Sequence, residues 1–324
     1  MNAVWPRARG GAPAGARMKT RCEDFRVCEL PAVEPSGSGE HLWLHVEKTG
    51  MTTRDAAVAL AGACVVPEHA VGYAGMKDKR AVTRQWFSVH TAADEAPALA
   101  RPGLRLLAAT RHQRKLRRGE LAGNAFRLRL DGVEGTGWEA ALATARDAGV
   151  PNYFGPQRFG SDNLRNAVAW LGQRRRQRVP AFRRGLYLSV LRSYLFNEVL
   201  GARVADGSWQ RPLAGDVLLP PAMLGDAAEP APTGPLWGRG RSPVEAEAAA
   251  LEQAALAPHG ELCEGLEHAG LSQERRSLVL RAPDLSWSRD GDAVTLAFSL
   301  PAGCYATVLL AEAFDLREPD RDAA

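Results

Sequence analysis

The chain is short of the residues that staple or metal-clip a fold. Its five cysteines, Cys22, Cys28, Cys64, Cys263 and Cys304, are odd in number, scattered and without a Cys-x-x-Cys pair. A disulfide framework or a structural zinc site is therefore not expected. His41 and His45 alternate with Leu42, Leu44 and Val46, the pattern of a strand with outward histidines, and no metal is expected. No apolar run approaches the ~20 residues of a membrane span, and the N-terminus lacks the apolar core of a secretory signal, so a cytoplasmic location is the expectation. A phosphate-cradling glycine loop and a Gly-x-Ser-x-Gly elbow are also absent, which gives no support to nucleotide-hydrolysing or serine-esterase chemistry. Charge of one sign is scarce too. Forty-one basic against 37 acidic residues leave a formal +4, so nucleic-acid binding would have to come from local clusters.

Such clusters exist. Seven arginines and one lysine stand against the single acid Glu120 over residues 105–129, and residues 173–184 hold six arginines and no acid. A basic run is ordinarily a solvated face, but arginine's planar fork suits paired hydrogen bonds to phosphate oxygens. Two patches of this kind suit a folded RNA. With 324 residues, 45% of them hydrophobic, the chain has material for one large or two ordinary globular domains.

Helical and strand patterns mix without a βαβ rhythm, which predicts an α+β fold with a mainly antiparallel central sheet. Residues 1–17, rich in Ala, Gly, Pro and Arg, read as a flexible segment. Alternation predicts strands over 25–30 and 42–46, joined as an opening hairpin by the Pro-Ser-Gly-Ser-Gly turn at 35–39. A helix capped by Thr53 runs to about Cys64, and strands follow over 85–90, 104–110 and 125–130. From about Gly149 the character changes. Helices are expected near 164–172, 186–200 and 244–257, around a Gly- and Pro-rich stretch over 220–243. Strands over 277–281 and 293–300 and a helix over 307–313 close the chain.

The chemistry-bearing stretch is Gly75-Met76-Lys77-Asp78-Lys79-Arg80. It sets one carboxylate among cations that favour its ionised form and suit a phosphodiester beside it. Alone, it would read first as a solvated charged turn between a helix and a strand. Four further segments accompany it: Lys19 with Glu23-Asp24-Phe25-Arg26-Val27; Arg111-His112 through Lys115-Leu116-Arg117 to Gly123-Asn124-Ala125-Phe126; Pro151-Asn152-Tyr153-Phe154-Gly155-Pro156-Gln157-Arg158-Phe159-Gly160; and Leu300-Pro301-Ala302-Gly303-Cys304-Tyr305-Ala306-Thr307. In this order and content the chain resembles the TruD family of tRNA pseudouridine synthases over nearly its whole length.

The resemblance implies a pseudouridine synthase catalytic fold interrupted by an inserted α/β TRUD domain, with RNA taken between the two. The catalytic domain would span 18–148 and 277–324 and the insertion 149–276, which returns Tyr305 to the sheet that carries Asp78. It further implies isomerisation of a uridine in tRNA, at position 13 in the D arm, with Asp78 as the catalytic residue and Lys19 as the basic residue beside it. Phe25, Asn124 and Tyr305 match positions that bind the target nucleoside, although phenylalanine is common where this chain has Tyr305. An unstacked uridine can regain stacking on an aromatic face while an amide reads its Watson–Crick edge. Read without the family, Phe25 and Phe126 are core aromatics, Asn124 a turn residue and Lys19 a surface charge. RNA contacts are expected from Lys77, Arg80, Arg111, Arg114, Lys115, Arg117 and Arg118. The 151–160 segment reads as a buried joint and Thr233-Gly234-Pro235-Leu236-Trp237-Gly238 as a structural loop. Pseudouridine formation exchanges the N1–C1′ bond for a C5–C1′ bond without redox, hydrolysis or group transfer, so no cofactor is required. The carboxylate can start it by adding to the base or by helping expel it from the sugar. A monomer is expected. The alternative from another class is a non-catalytic RNA-binding or RNA-folding protein using the same basic patches, which has no need of a carboxylate among the phosphates.

Overall fold

The structure, a computed structural model, describes residues 5–9, 13–93, 95–173, 179–225 and 229–319. Parts of three segments singled out above, at 1–4 and 10–12, at 174–178 and at 226–228, lie outside the described residues. In chain order the elements begin with β1 (Ala14–Met18), β2 (Phe25–Pro31), β3 (His41–Thr49), α1 (Thr53–Ala63), β4 (Val71–Tyr73), β5 (Val82–His90), β6 (Leu104–His112) and β7 (Leu121–Glu134). They continue with α2 (Trp138–Ala148), β8 (Val150–Pro151), α3 (Pro156–Phe159), α4 (Asn163–Leu171), α5 (Ala181–Ala205), β9 (Leu218–Leu219), β10 (Ala231–Leu236), α6 (Ala246–Leu256) and α7 (Gly260–His268). The last are β11 (Glu274–Ser277), β12 (Val279–Leu280), β13 (Ser286–Asp290), β14 (Ala293–Pro301), α8 (Ala306–Ala311) and β15 (Phe314–Arg317).

The chain divides into two compact units. One comprises Ala14–Trp138, Ala282–Gly303 and the residues from Phe314 on; the other comprises the residues up to Pro13, Glu139–Arg281 and Cys304–Ala313. This division differs from the expected one. Trp138 stays with the first unit, where its ring lies 5.7 Å from that of Phe314, while the rest of α2 joins the second. Tyr305 also falls in the second unit and stands at the start of a helix, not in a strand of the sheet.

The first unit is built on a ten-stranded sheet in the order β13-β14-β7-β2-β5-β3-β6, with β4 beside β5 and β1 between β7 and β15. It is antiparallel except where β2 meets β5 and β1 meets β15. Residues of alternating polarity put one face into the core. Leu42, Leu44 and Val46 of β3 and Phe87 and Val89 of β5 pack under Ala56, Ala57, Leu60 and Ala61 of α1. Thr52 caps that helix one residue before the expected position, its hydroxyl accepting the Asp55 N–H while Asp55 reaches back to the Thr52 N–H, a reciprocal capping box.

Three expectations fail here for a shared reason, pairing at long range. β2 and β3 do not form a hairpin: β5 inserts between them, parallel to β2 with Arg26 beside Val82 and antiparallel to β3 with His41 beside His90. Residues 14–17 are a strand, not a flexible segment. Ala14, Ala16 and Met18 are buried because β1 pairs with β7 on one edge and β15 on the other. The strand expected over 277–281 breaks into β11 and β12, which pair within the second unit with β10 and β8. The β14 hairpin partner is β13 instead.

In the second unit α5 is central, with Val190, Leu191, Leu195, Phe196 and Leu200 fully buried. α4 and α7 flank it through Leu164, Ala167, Leu171 and Leu266. Thr233–Leu236, expected as a loop, lies in β10 and pairs with β11. Two buried ion pairs, Arg203 with Asp216 at 2.9 Å and Arg275 with Glu252 at 2.6 Å, have their charges matched, as a dry interior requires.

Candidate active site

The turn that carries Asp78 is tied down on several sides before it meets any ligand. The Thr53 hydroxyl, at the first residue of α1, accepts the Lys77 N–H at 2.8 Å and donates to Gln85 Oε1, whose amide donates to the Gly75 carbonyl. Lys48, at the inward end of β3, donates to the carbonyls of Met51 and Asp78, each at 2.8 Å. The Arg80 N–H donates to Asp78 Oδ1 at 3.1 Å.

Lys19 supplies the partner of the carboxylate. Its ammonium lies 2.6 Å from Asp78 Oδ2 and 2.9 Å from Glu318 Oε1, and 4.7 Å from the centre of the Phe25 ring. Lys19 follows β1 with φ +59°, a left-handed conformation that costs a non-glycine residue about 1–2 kcal/mol, as strained residues at functional sites do. Burial alone would push the Lys19 ammonium down. The hydrogen bonds and charges of Asp78 and Glu318 outweigh that, and its pKa stands above the ordinary lysine value. The side chain of Lys19 is 9% exposed, that of Asp78 40%, so the cation is held inside while the carboxylate stays open to a reactant.

Phe25 is buried, edge-on to Phe126 at 6.3 Å, and Phe126 stacks on Phe298 at 5.2 Å. Phe126 is thus a packing residue. Asn124 sits on β7 directly across from Glu29 of β2, and its amide oxygen is buried without a hydrogen-bond partner. Such an acceptor is costly unless something donates to it. Lys19 therefore meets both Asp78 and Phe25. Asn124 lies beside Glu29 in the sheet, and Glu29 holds the ammonium of Lys77, the residue before Asp78, at 2.6 Å.

That pair corrects one expectation. Lys77 is expected among the RNA contacts, but its side chain is 5% exposed and Glu29's 1%, so its charge is spent inside the protein. Other basic residues are also engaged. Arg80 donates to the carbonyl oxygens of Pro319 and Lys19. Arg111 donates to those of Thr91 and Ala93, and Lys115 to that of His69. Arg114 pairs with Glu120. Arg117 and Arg118 are exposed, the latter lying over the Tyr73 ring and donating to its hydroxyl. Their loop is docked beside the strand leading to Asp78. The Leu116 N–H donates to the Ser88 hydroxyl and the Gly119 N–H to the Ala74 carbonyl, and no Cβ fits at Gly72 against the Leu116 carbonyl.

Tyr305 belongs to the second unit. Its ring is 6.2 Å from Phe154, over which the Arg276 guanidinium lies at 4.3 Å. Burial raises the Tyr305 phenol, and Arg158 and Arg276 pull against it. Asn152, Tyr153 and Phe159 of the 151–160 segment are buried within this unit, and Asn197 exchanges two hydrogen bonds with the Phe154 main chain.

Lys48, Thr53, Gln85 and Glu318 are site residues that sequence reasoning missed. Lys48 had a signal: it continues the inward parity of Leu42, Leu44 and Val46 with a charge. Glu318 had none. Among the described residues no group of three or more His, Cys, Asp and Glu is placed to hold a metal ion, and no helix is long and apolar enough to cross a membrane.

Comparison with known proteins gives the family. The family model described as tRNA pseudouridine synthase D (TruD) matches residues 8–170 and 173–313. The tRNA pseudouridine synthase D of Methylococcus capsulatus is 46% identical, with 95% of this chain and 93% of that protein aligned. That of Pseudomonas entomophila is 44% identical, covering 96% and 94%. A crystal structure of a Methanosarcina mazei protein assigned to tRNA pseudouridine synthase D (TruD) superposes with a TM-score of 0.70 at 20% identity, covering 96% and 95% of the two chains, a likeness of fold. The chain belongs to the TruD family of tRNA pseudouridine synthases.

Proposed function

We infer that this protein is an isomerase that converts a uridine of tRNA to pseudouridine, with Asp78 as its nucleophile. The observation that carries the reading is the Lys19–Asp78 pair at 2.6 Å, with the cation buried and the carboxylate open. In the reaction the N1–C1′ bond breaks, the uracil turns, C5 bonds to C1′, and the C5 proton is lost as N1 gains one. Nothing else enters or leaves. Lys19 and the Arg80 N–H hold the carboxylate in one orientation, so little ordering is left to be done when substrate arrives.

Phe25 and Asn124 border the base, with the unpartnered Asn124 oxygen as acceptor for a uracil N–H. Tyr305 keeps the role its family position implies, an aromatic face for the nucleoside. RNA phosphates are read by Arg114, Arg117 and Arg118, the exposed members of the basic set. The target is the uridine at position 13 by resemblance, and the protein acts as a monomer. The test is to incubate the purified protein with unmodified tRNA and map pseudouridine at nucleotide resolution, with Asp78→Ala alongside. One new site in the D arm, absent with the variant while tRNA affinity stays within about tenfold, is the expected result. Retained turnover by Asp78→Ala sinks the catalytic assignment.

A further inference from the structure

Lys48 presents a physical problem. It is 0% exposed and sits on the core face of β3, in phase with Leu42, Leu44 and Val46. Among the described residues no carboxylate forms a direct ion pair with it, so its charge is buried with carboxylates nearby but none in contact, which costs several kcal/mol. An apolar side chain would continue the stripe at less cost. What the ammonium touches are two main-chain carbonyls, of Met51 in the turn between β3 and α1 and of Asp78 itself, each at 2.8 Å. Two carbonyl dipoles aimed at one point repel unless a strong donor lies between them.

We propose that Lys48 is a positioning residue for the reaction, whose ammonium holds the Asp78 main-chain carbonyl and so fixes the direction in which the Asp78 carboxylate leaves its turn. This rests on Asp78 being the nucleophile. The division of labour is geometric. Lys19 and the Arg80 N–H fix the carboxylate end of Asp78, and Lys48 fixes the peptide end, anchoring it to the start of α1. A side chain held at both ends cannot drift, and a misplacement of ~1 Å at a reacting atom costs about 10²-fold in rate.

The site also has a titration signature. Burial pushes the Lys48 ammonium down to about 8; Asp78 opposes this, Lys77 adds to it, and Cys22 and Asp55 oppose it weakly. Above that pH the neutral amine keeps two N–H donors, enough for both carbonyls, but without charge assistance. The bonds weaken without vanishing, so the rate should step down to a lower plateau.

The experiment measures single-turnover pseudouridine formation at saturating protein, and tRNA affinity, from pH 6.5 to 9.5 for wild type, Lys48→Met, Lys48→Arg and Asp78→Ala, with thermal melts of each. Lys48→Met is expected to lose about 10²-fold in rate with affinity within about twofold, and to lack the step near pH 8. A general structural defect would lower melting temperature and affinity together. If Lys48→Met does not fold, Lys48→Arg decides, since a guanidinium stays charged throughout and abolishes the step. A wild-type rate in folded Lys48→Met, or a step that persists in either variant, overturns the proposal. An active Asp78→Ala overturns the reading beneath it, whereas an inactive Asp78→Ala beside a fully active Lys48→Met overturns the role of Lys48 alone.

Discussion

Replacing Lys77 by methionine distinguishes a strut from an RNA contact. The Lys77 ammonium and the Glu29 carboxylate are 2.6 Å apart and almost wholly buried. Removing one partner of such a pair leaves an unmatched buried charge and costs about 3–5 kcal/mol, a large part of the ~5–15 kcal/mol that holds a domain folded. Removing both, as in Lys77→Met/Glu29→Leu, is different. Exchanging a buried pair for apolar groups is neutral to stabilising by about 1–4 kcal/mol. Against that, the Trp86 N–H, which donates to Glu29 Oε1 at 3.3 Å, loses its acceptor at a cost of about 1–3 kcal/mol. The two terms largely offset, so the double variant should lie within about 2 kcal/mol of wild type and above the single variant. Urea unfolding followed by tryptophan fluorescence measures the stabilities, and tRNA binding at several salt concentrations measures phosphate contact. A strut leaves the salt slope unchanged in the folded single variant, while a phosphate contact lowers it by ~0.9. Wild-type stability in Lys77→Met together with a shallower slope would refute the reasoning.

Other expectations concern charge. Replacing both Arg117 and Arg118 by alanine should weaken binding about equally for all tRNAs and lower the log–log salt slope by roughly 1–2, measured by filter binding. The buried Lys48 ammonium sets a sign for stability against pH. Its folded value of about 8 lies below the ordinary 10.5, so between these the unfolded chain holds a proton the folded protein has released. Stability relative to Lys48→Met should therefore rise across that window, at 1.36 kcal/mol per pH unit by at most about 3.4 kcal/mol. Paired urea titrations at pH 7 and pH 10 check this, and a difference that falls with pH would contradict it.

What was legible in the sequence was local. The start of a helix at the Thr-Thr pair and the alternation of β3, β5 and β14 are written in neighbouring residues, so α1 and these strands appeared near their true bounds, with the cap itself one residue earlier than expected. The Lys19–Asp78 association and the Asn124 and Phe25 positions came from the family pattern, and geometry brings the first pair into contact. Pairing partners were not legible. Nothing in Phe25–Pro31 says that Val82 will lie beside Arg26, and the adjacent, well-alternating β3 was the natural but wrong partner. β1 hid behind its composition, because an Ala-Gly-Ala-Arg-Met strand is stabilised by the two edges it joins more than by its own residues. Lys77 misled for a related reason: its counter-ion is 48 residues away, beyond any local charge pattern. The insertion that the resemblance implies puts Tyr305 in the sheet, yet the turn at Ala302 and Gly303 carries it into the other unit.

The parallel pairing of β1 with β15 has a consequence for how the protein comes into being. Lys19 directly follows β1 and Glu318 directly follows β15, and their bond spans 299 residues. At about 5–20 residues per second on the ribosome, the first half of this arrangement waits roughly 15–60 s for the second. Through that interval the nascent chain carries Lys19 and Asp78 without the strand that brings Glu318 to them. Assembly of the full Lys19 ion-pair set therefore waits until β15 has been made, and a chain that stops before β15 lacks the second carboxylate that holds Lys19.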